Sequence, residues 1–445
     1  MINTTNMKLA VFFAALGTVI GAMAVSAGPL DPPAGPVAGT YKTLTEVEPR
    51  IAINAANTPG DSDSLFRITQ PGSYYLTGNI TGVIGKHGIE IAASGVTIDL
   101  MGFDLQGAPT GSLHGVIVTV NNLTDIAVVN GSVRNWDGGG VDLGSFVTHN
   151  GRVENVRVSG TGVGISIGPS SQVTNCTAYL NGGTGILAPF VGCTVLNCTS
   201  YQNAYYGIQV SSDSTVLNCT AYKNTDYGIV TGSGCTISNC TASNNTGIGI
   251  GIVTGIGCTI SNCTASSNTG HGISTGSGCT IIDCTAYINT GNGISTGFGC
   301  TITDCTAYNN SGHGINTGSG CTIADCTVRV NVLDGIRFVS ACIVRNNTCA
   351  SNGNTGDGAN IHATGNDNRI EGNNCITADR GIDVDVAGNI IVRNTCSGNT
   401  VNWDIVANNV VGPILDRTAP ASAAISGNSA PDSTGSTHPN ANFTY

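Results

Sequence analysis

Short runs of alternating apolar and polar residues fill most of this chain, and Asn and Gly separate them. The phrase CTISNCTASSNTGHGISTGSG at residues 258–278 is followed directly by two close variants of itself. Alternation with a period of two predicts β-strands, and Asn and Gly between strands predict turns with left-handed backbone. No phrase holds a helix-length run of helical periodicity. The pattern therefore predicts a succession of short strands.

The phrase recurs at a nearly constant spacing of 21 to 23 residues. Its copies begin at Ser171, Cys193, Ser214, Cys235, Cys258, Cys279, Cys300, Cys321 and Cys342. Three short strands per phrase, with no hairpin turn between them, make one turn of a parallel coil. Each strand then pairs with its counterpart one turn later, at about 4.8 Å. The predicted fold class is all-β, a parallel β-helix (solenoid).

In such a coil, equivalent residues of successive turns stack into columns. One column is predicted to contain Asn181, Asn203, Asn224, Asn245, Asn268, Asn289, Asn310 and Asn331. A second contains Asn175, Asn197, Asn218, Asn239 and Asn262, then Asp283, Asp304 and Asp325. Stacked amides can bond to the turns above and below, which explains why asparagine recurs.

The repeated NCTAxxN...GxGI turns and the segment SGVTIDLMGFDL at 94–105 resemble the right-handed parallel β-helix proteins of the pectin-lyase-like superfamily. The resemblance covers roughly residues 65–415 and implies a right-handed coil. That superfamily includes lyases, hydrolases, epimerases, phage fibres and non-catalytic surface proteins, so it leaves the function open. The repeats also resemble those of periplasmic copper-binding proteins, but no Met-rich or His-rich loop supports copper.

Four segments are predicted along the chain. Residues 1–27 read as a signal peptide, with Lys8 before an apolar run and small residues before Gly28. Residues 28–64 form an N-terminal cap segment, in which LTEVEPRIAINAAN is expected to be a short helix. The β-helix follows at 65–415, and an Ala/Ser/Gly/Pro-rich tail at 416–445. The mature protein is expected to be secreted or periplasmic, without a membrane span after cleavage.

The composition bears on two questions: whether nucleic acid is a partner, and which state the cysteines are in. Only 10% of residues are charged and the net charge is −11, which argues against a nucleic acid partner. The chain has 18 cysteines. In C-T-I the Cys and Ile point the same way, so the cysteines are expected in the core as free thiols. Stacked in-register cysteines fit a disulfide poorly, and C-x4-C without a nearby His fits zinc poorly.

Each phrase has one strand that begins with Gly-Ile, such as GIST at residues 272–275. The outward residues of this strand become ionic in the turns towards the C-terminal end of the coil. Arg337, His362, Asp383 and Asp385 are the candidate catalytic residues, because a base, an imidazole and carboxylates about 5 Å apart could hold a uronic sugar. Arg337 beside carboxylates resembles part of the pectate-lyase arrangement, in which an arginine abstracts the proton. The alternative is a row of surface ion pairs.

Further substrate-binding candidates extend this site and add an aromatic stripe. They are Asn316, Asp334, Tyr287, Tyr308 and Arg329. Exposed tyrosines suit sugar rings, although stacked tyrosines also stabilise a β-ladder by themselves. No metal site is predicted among these residues. No cofactor is expected, with calcium on the Asp283, Asp304 and Asp325 stack left open.

The predicted function is binding of extracellular carbohydrate, a polysaccharide or cell-surface glycan, by a secreted β-helix. Two alternatives remain open. One is a polysaccharide lyase or glycoside hydrolase, and the other is a non-catalytic structural surface protein. The sequence does not decide whether the protein is an enzyme, which glycan it meets or its oligomeric state.

Overall fold

The structure is a computed structural model that describes residues 48–353, 356, 358–416, 418 and 438–445. The chain divides into two compact units, Met1–Pro49 and Arg50–Tyr445, and the strands of the described residues lie in the second. The predicted signal peptide and residues 28–47 of the cap segment lie outside the described residues. No helix in the described part is long and apolar enough to cross a bilayer.

The first sheet, called sheet B, has 16 parallel strands, one from each turn of the coil. Its strands are Ser64–Ile68, His87–Ile91, Val116–Val118, Val141–Asp142, Ile165–Ser166, Ile186–Ala188, Ile208–Val210, Ile229–Thr231, Ile252–Thr254, Ile273–Thr275, Ile294–Thr296, Ile315–Thr317, Ile336–Phe338, Ala359–Ala363, Arg380–Val384 and Val401–Ile405. Each strand pairs with the sheet B strand of the next turn.

The second sheet, called sheet A, has 32 strands and takes up the other two strands of each turn. Its strands are Ile51–Ala52, Gly72–Tyr75, Ile80–Thr81, Val96–Asp99, Asp104–Gln106, Ala127–Arg134, Arg152–Ser159, Gln172–Thr174, Thr177–Tyr179, Thr194–Leu196, Thr199–Tyr201, Thr215–Leu217, Thr220–Tyr222, Thr236–Ser238, Thr241–Ser243, Thr259–Ser261, Thr264–Ser266, Thr280–Ile282, Thr285–Tyr287, Thr301–Thr303, Thr306–Tyr308, Thr322–Ala324, Thr327–Arg329, Ile343–Arg345, Thr348–Ala350, Arg369–Glu371, Asn374–Ile376, Ile390–Val392, Thr395–Ser397, Val410–Val411, Ile414–Asp416 and Asn442–Thr444.

The strand pairing confirms the predicted parallel β-helix. Thr194–Leu196 pairs in register with Thr215–Leu217, and Ile208–Val210 pairs with Ile229–Thr231 one turn later. Within a turn, the chain bends between its two sheet A strands at a residue such as Asn197, whose φ is 55°. Asn tolerates this left-handed conformation better than most residues, which explains the second asparagine column.

The asparagine column at 181–331 lies inside the coil and is hydrogen-bonded throughout. Asn289 shows the pattern: its Oδ1 accepts from the backbone N–H of Asn268 (3.1 Å) and from Asn268 Nδ2 (3.0 Å). Its own Nδ2 donates to the carbonyl of Ala265 (3.1 Å) and to Oδ1 of Asn310 (3.0 Å). Every polar atom of this buried amide is thereby satisfied. The predicted ladder is confirmed, and it continues to Asn352.

All 18 cysteines are buried and none forms a disulfide. Several cysteine sulfur atoms also accept a hydrogen bond from a backbone N–H. For example, the N–H of Cys258 donates to Sγ of Cys279 at 3.3 Å. Ser214 takes the same role where it replaces cysteine, with its Oγ 3.1 Å from the backbone nitrogen of Cys193. The position shared by Cys279 and Ser214 therefore needs a small side chain that fills the core. This side chain must also accept a hydrogen bond from a backbone N–H that strand pairing leaves free.

Both ends of the coil differ from the sequence prediction. The described part of the expected helix contains the strand Ile51–Ala52 and a turn, because the backbone of Ile51 and Ala52 pairs with Tyr74 and Tyr75. At the other end, Asn442–Thr444 lies within the predicted tail but pairs with two sheet A strands. The phrase-based prediction missed both, because neither segment carries the repeat.

Candidate functional site

A single row of outward side chains runs along sheet B and contains four of the nine predicted site residues. The strand register places Asn316 opposite Arg337, Arg337 opposite His362, and His362 opposite Asp383. Asp404 follows Asp383 in the same row. The predicted alignment of these four residues is confirmed, and neighbours in the row lie about 4.8 Å apart.

His362 is the centre of this row, because three carboxylates surround its ring. Its Nδ1 lies 2.9 Å from Oδ2 of Asp334, and its Nε2 lies 3.0 Å from Oδ2 of Asp385. Oδ2 of Asp383 is 3.8 Å from the same Nε2. The side chain of His362 is 18% exposed, so these contacts form in a partly desolvated place, where charges interact more strongly than in water.

Asp334 is positioned by a ladder of hydrogen bonds in the turn before each sheet B strand. The backbone N–H of Asn292 donates to His271 Nδ1 (2.8 Å), and that of His313 donates to Asn292 Oδ1 (2.9 Å). The N–H of Asp334 then donates to His313 Nδ1 (3.1 Å), and Asp334 Oδ1 accepts from Ala359 N–H (2.8 Å). Oδ1 thus accepts a backbone hydrogen bond, while Oδ2 lies 2.9 Å from Nδ1 of His362 and 3.3 Å from Nδ1 of His313.

The surroundings in this cluster raise the pKa values of His362 and Asp383 and lower that of Asp334. Burial would lower the pKa of His362, but the contacts with Asp334, Asp385 and Asp383 outweigh it and raise that pKa to about 9. Burial raises the pKa of Asp383 to about 6, against the opposing effect of His362 and Arg380. Burial also acts to raise the pKa of Asp334, yet its contacts with the rings of His313 and His362 and with the N–H of Ala359 hold that pKa well below its ordinary value. At neutral pH the cluster combines an imidazolium with a carboxylate that titrates close to neutrality.

Arg337 differs from the other cations of the row and its surroundings. Arg380 lies 2.8 Å from Asp404 and 3.5 Å from Asp383, and His362 is held by its carboxylates. Among the described residues, the polar contact of Arg337 is the side-chain oxygen of Asn316, at 3.4 Å. Its guanidinium is therefore a cation that no carboxylate in the described part of the chain neutralises.

The tyrosine stripe lies on sheet A, so the structure does not bring it together with the His362 cluster. The rings of Tyr287 and Tyr308 are stacked with centroids 4.9 Å apart and planes 1° apart. The guanidinium carbon of Arg329 lies 5.0 Å from the centroid of the Tyr308 ring. Both faces of Tyr308 are thus covered by neighbours, which favours ladder stabilisation over stacking on a sugar.

Two groups of carboxylates bear on the question of metals. Ligand atoms of His362, Asp383 and Asp385 all lie within 4.8 Å of one another. Asp283, Asp304 and Asp325 stack at the left-handed corner, with φ between 53° and 59°, and are exposed to solvent. They replace asparagine at that corner, which gives them a conformational role without an ion.

Sequence reasoning missed one member of the cluster, Asp404, and one contact within it. Asp404 follows Asp383 by 21 residues, so continuing the column by one more repeat would have found it. The contact of His362 with Asp334 was harder to find, because Asp334 precedes its strand and its orientation depends on the ladder of the turns. The alternation of apolar and polar residues gives no sign of these hydrogen bonds between the turns.

Comparison with known proteins agrees with the architecture. Residues 114–255 and 229–332 match the family described as right handed beta helix region, together just under half of the chain. Together with the strand pairing above, this match supports the architecture of a right-handed parallel β-helix. No curated protein matches the sequence.

Several solved structures are similar to this chain at low identity. The mannuronan C-5 epimerase AlgE4 A-module of Azotobacter vinelandii is 14% identical, over 76% of this chain and 90% of that one, with a TM-score of 0.32. The periplasmic alginate epimerase AlgG is 12% identical, over 75% and 83%, with a TM-score of 0.39. The Dettilon tailspike protein (gp208) is 16% identical, over 72% and 59%, with a TM-score of 0.30.

Proposed function

We propose that this protein binds an acidic extracellular polysaccharide along the outward row of sheet B, at the turns that contain Arg337, His362 and Asp383. The observation that supports this most is the guanidinium of Arg337, which no carboxylate of the described residues contacts, beside a dense ionic cluster. A uronate carboxylate can accept two parallel hydrogen bonds from a guanidinium, and such pairs are the stronger kind of hydrogen bond.

The neighbouring carboxylates suit the rest of a sugar ring. The side chains of Asp385 and Asp404 are 51% and 49% exposed, so each has oxygen atoms in reach of solvent and of sugar hydroxyls. Only 10% of the residues in the chain are charged, which makes this gathering of charge on adjacent strands unusual for the molecule. The secreted location predicted from the sequence is part of the same proposal.

A second candidate function is abstraction of a proton from a uronate. It is favoured by the pKa values of Asp383 and His362. Arg337 would pair with the uronate carboxylate and make the neighbouring carbon more acidic. Asp383, whose pKa is raised to about 6, would take the proton, and protonated His362 would donate to the departing oxygen. Groups with separated pKa values are the usual basis for assigning an acid and a base.

Retention on immobilised acidic polysaccharide tests the binding proposal. Arg337→Ala should weaken binding at least about tenfold, the range expected for one charge-assisted hydrogen bond. Arg345→Ala is the matched control, because Arg345 is an outward arginine on sheet A, 3.9 Å from Asp325. Equal retention of both variants and of the original protein on every acidic glycan would favour the structural-protein alternative.

The same samples address the remaining questions. Tyr287→Ala and Tyr308→Ala serve as the comparison for the aromatic stripe, and loss of binding there alone would move the site to sheet A. An increase in absorbance from unsaturated products, absent in Asp383→Asn, would show the lyase activity. Repeating the assay with calcium and with a chelator tests whether an ion bridges the cluster and a uronate carboxylate.

A further inference from the structure

A cavity of about 490 Å³ opens on the same face of sheet B, towards the N-terminal end of the coil. Asp142, Ser166 and Leu187 line it and lie opposite one another on three successive strands. Through the strand pairing, they belong to the same outward row as Arg337. Pockets of this size are typical of small-ligand sites.

Glycines in the turns before these strands create the cavity. Three residues before each of these strands the chain has a glycine: Gly138, Gly162 and Gly183. The equivalent position in the next turn is Tyr205. A Cβ on Gly138 would lie 2.8 Å from the carbonyl oxygen of Leu113, and one on Gly162 would lie 2.7 Å from that of Gly138. Backbone packing therefore keeps side chains out of these positions, and the recess is a fixed feature of the fold.

The polar groups of the cavity are held in defined orientations. Asp142 is 4% exposed, and its Oδ1 accepts from the backbone N–H groups of Gly144 and Ser145, both at 3.0 Å. The Ser145 hydroxyl donates to Oδ2 of the same carboxylate. His114 Nδ1 accepts from the N–H of Gly139 at 2.9 Å, so the proton of the neutral ring lies on Nε2.

The charge of this cavity differs from that of the Arg337 row. Burial lowers the pKa of His114, against the opposing effect of Asp142, so the imidazole is neutral at pH 7. No lysine or arginine is among its described lining residues, while Asp142 supplies a carboxylate. An acidic ligand would meet this carboxylate without a cation to offset it, whereas a neutral polyhydroxylated ligand can donate to it.

We propose that this cavity binds a neutral pyranose ring, at a site separate from the acidic-polysaccharide site. Asp142 and the hydroxyls of Ser145 and Ser166 bond to the sugar hydroxyls. Val163 and Leu187 contact the apolar face of the ring. Tyr205, which is 46% exposed, stands in the following turn at the position that Gly183 occupies at the cavity.

The decisive variant fills the cavity without touching its polar groups. A Cβ on Gly182 would come no closer than 3.7 Å to its surroundings, and its φ is not in the left-handed region, so Gly182→Leu should fold. Gly78→Leu is the matched control, because Gly78 also has open space and lies outside the cavity. Ser166→Ala removes one hydroxyl as an independent variant.

Binding of neutral gluco-, manno- and galacto-configured trisaccharides to the full chain is measured by calorimetry, with a galacturonate trimer for comparison. We expect at least one neutral trisaccharide to bind, Gly182→Leu to weaken it at least about tenfold, and Gly78→Leu to leave it unchanged. Ser166→Ala should weaken it less. Arg337→Ala should retain neutral binding, so this proposal and the acidic-polysaccharide proposal can fail separately. No neutral binding, or equal binding by folded Gly182→Leu, overturns the proposal.

Discussion

Nδ1 of His362 lies 2.9 Å from Oδ2 of Asp334, a carboxylate that belongs to the preceding turn of the coil and is 5% exposed. Since the pKa of His362 is raised to about 9, both ring nitrogens carry protons at neutral pH. The ring then donates to Asp334 on one side and to Asp385 on the other. This imidazolium links adjacent turns and charges the outer face of sheet B.

The first prediction concerns the pH dependence of stability. The pKa of His362 rises from 6.5 to about 9 on folding, so its contribution is fully present below pH 6.5 and disappears as the pH rises through 9. His362→Gln should therefore lower the free energy of unfolding most near pH 6 and least above pH 9. Denaturant unfolding at several pH values measures the difference.

An exposed histidine provides the control for this experiment. His149→Gln should leave the unfolding midpoint unchanged at every pH, since His149 is exposed and has backbone contacts only. A constant difference between the original protein and His362→Gln from pH 6 to pH 10 would contradict the raised pKa.

The second prediction concerns Asp383, whose pKa folding also raises, but here the substitution should increase stability. Folding raises the pKa of this carboxyl from 3.8 to about 6, so its favourable contribution is present below pH 3.8 and is lost as the pH rises through 6. Asp383→Asn should therefore gain stability relative to the original protein between pH 4 and pH 6. Asp385→Asn should lose stability at pH 7, because it weakens the bond with His362. Thermal unfolding of both variants across this range measures the difference, and parallel behaviour would disprove the assignment.

Much of this fold could be predicted because each turn repeats the same local pattern. The alternation in C-T-I and G-I-S-T places side chains inside or outside, and the constant spacing aligns them between turns. The outward row from Asn316 to Asp383 follows from those two facts alone. Where the repeat is absent, at Ile51–Ala52 and Asn442–Thr444, the prediction failed.

The chemistry of the site was less predictable than its position. The role of Asp334 depends on which of its oxygens the turn ladder uses, and the N-terminal cavity depends on glycines, which have no side chain to form a pattern. The cysteines show the same limit. Alternation placed Cys279 in the core, but only the structure reveals the backbone N–H of Cys258 that its sulfur accepts.

The third prediction concerns the buried asparagine column. Asn289→Ala removes four hydrogen bonds and leaves the N–H groups of Asn268 and the carbonyl of Ala265 without their partner. The free energy of unfolding should fall by about 3 kcal/mol, since unsatisfied buried groups carry the full desolvation penalty. Asn262→Ala, at the exposed corner, should lose about 1 kcal/mol or less, mainly through its left-handed backbone. Chemical denaturation measures both, and equal losses would show that the inner column has no special role.

The fourth prediction separates two roles of the core cysteines. If Cys279 only fills volume, alanine should be tolerated better than serine, because burying an unpaired hydroxyl is unfavourable. If it must accept from the N–H of Cys258, serine should be the better replacement, as Ser214 is in the same column. We expect Cys279→Ser to be more stable than Cys279→Ala by about 1–2 kcal/mol, the value of one buried hydrogen bond. Urea unfolding of the two variants under reducing conditions gives the order, and a more stable alanine variant would leave packing as the sole reason for cysteine at this position.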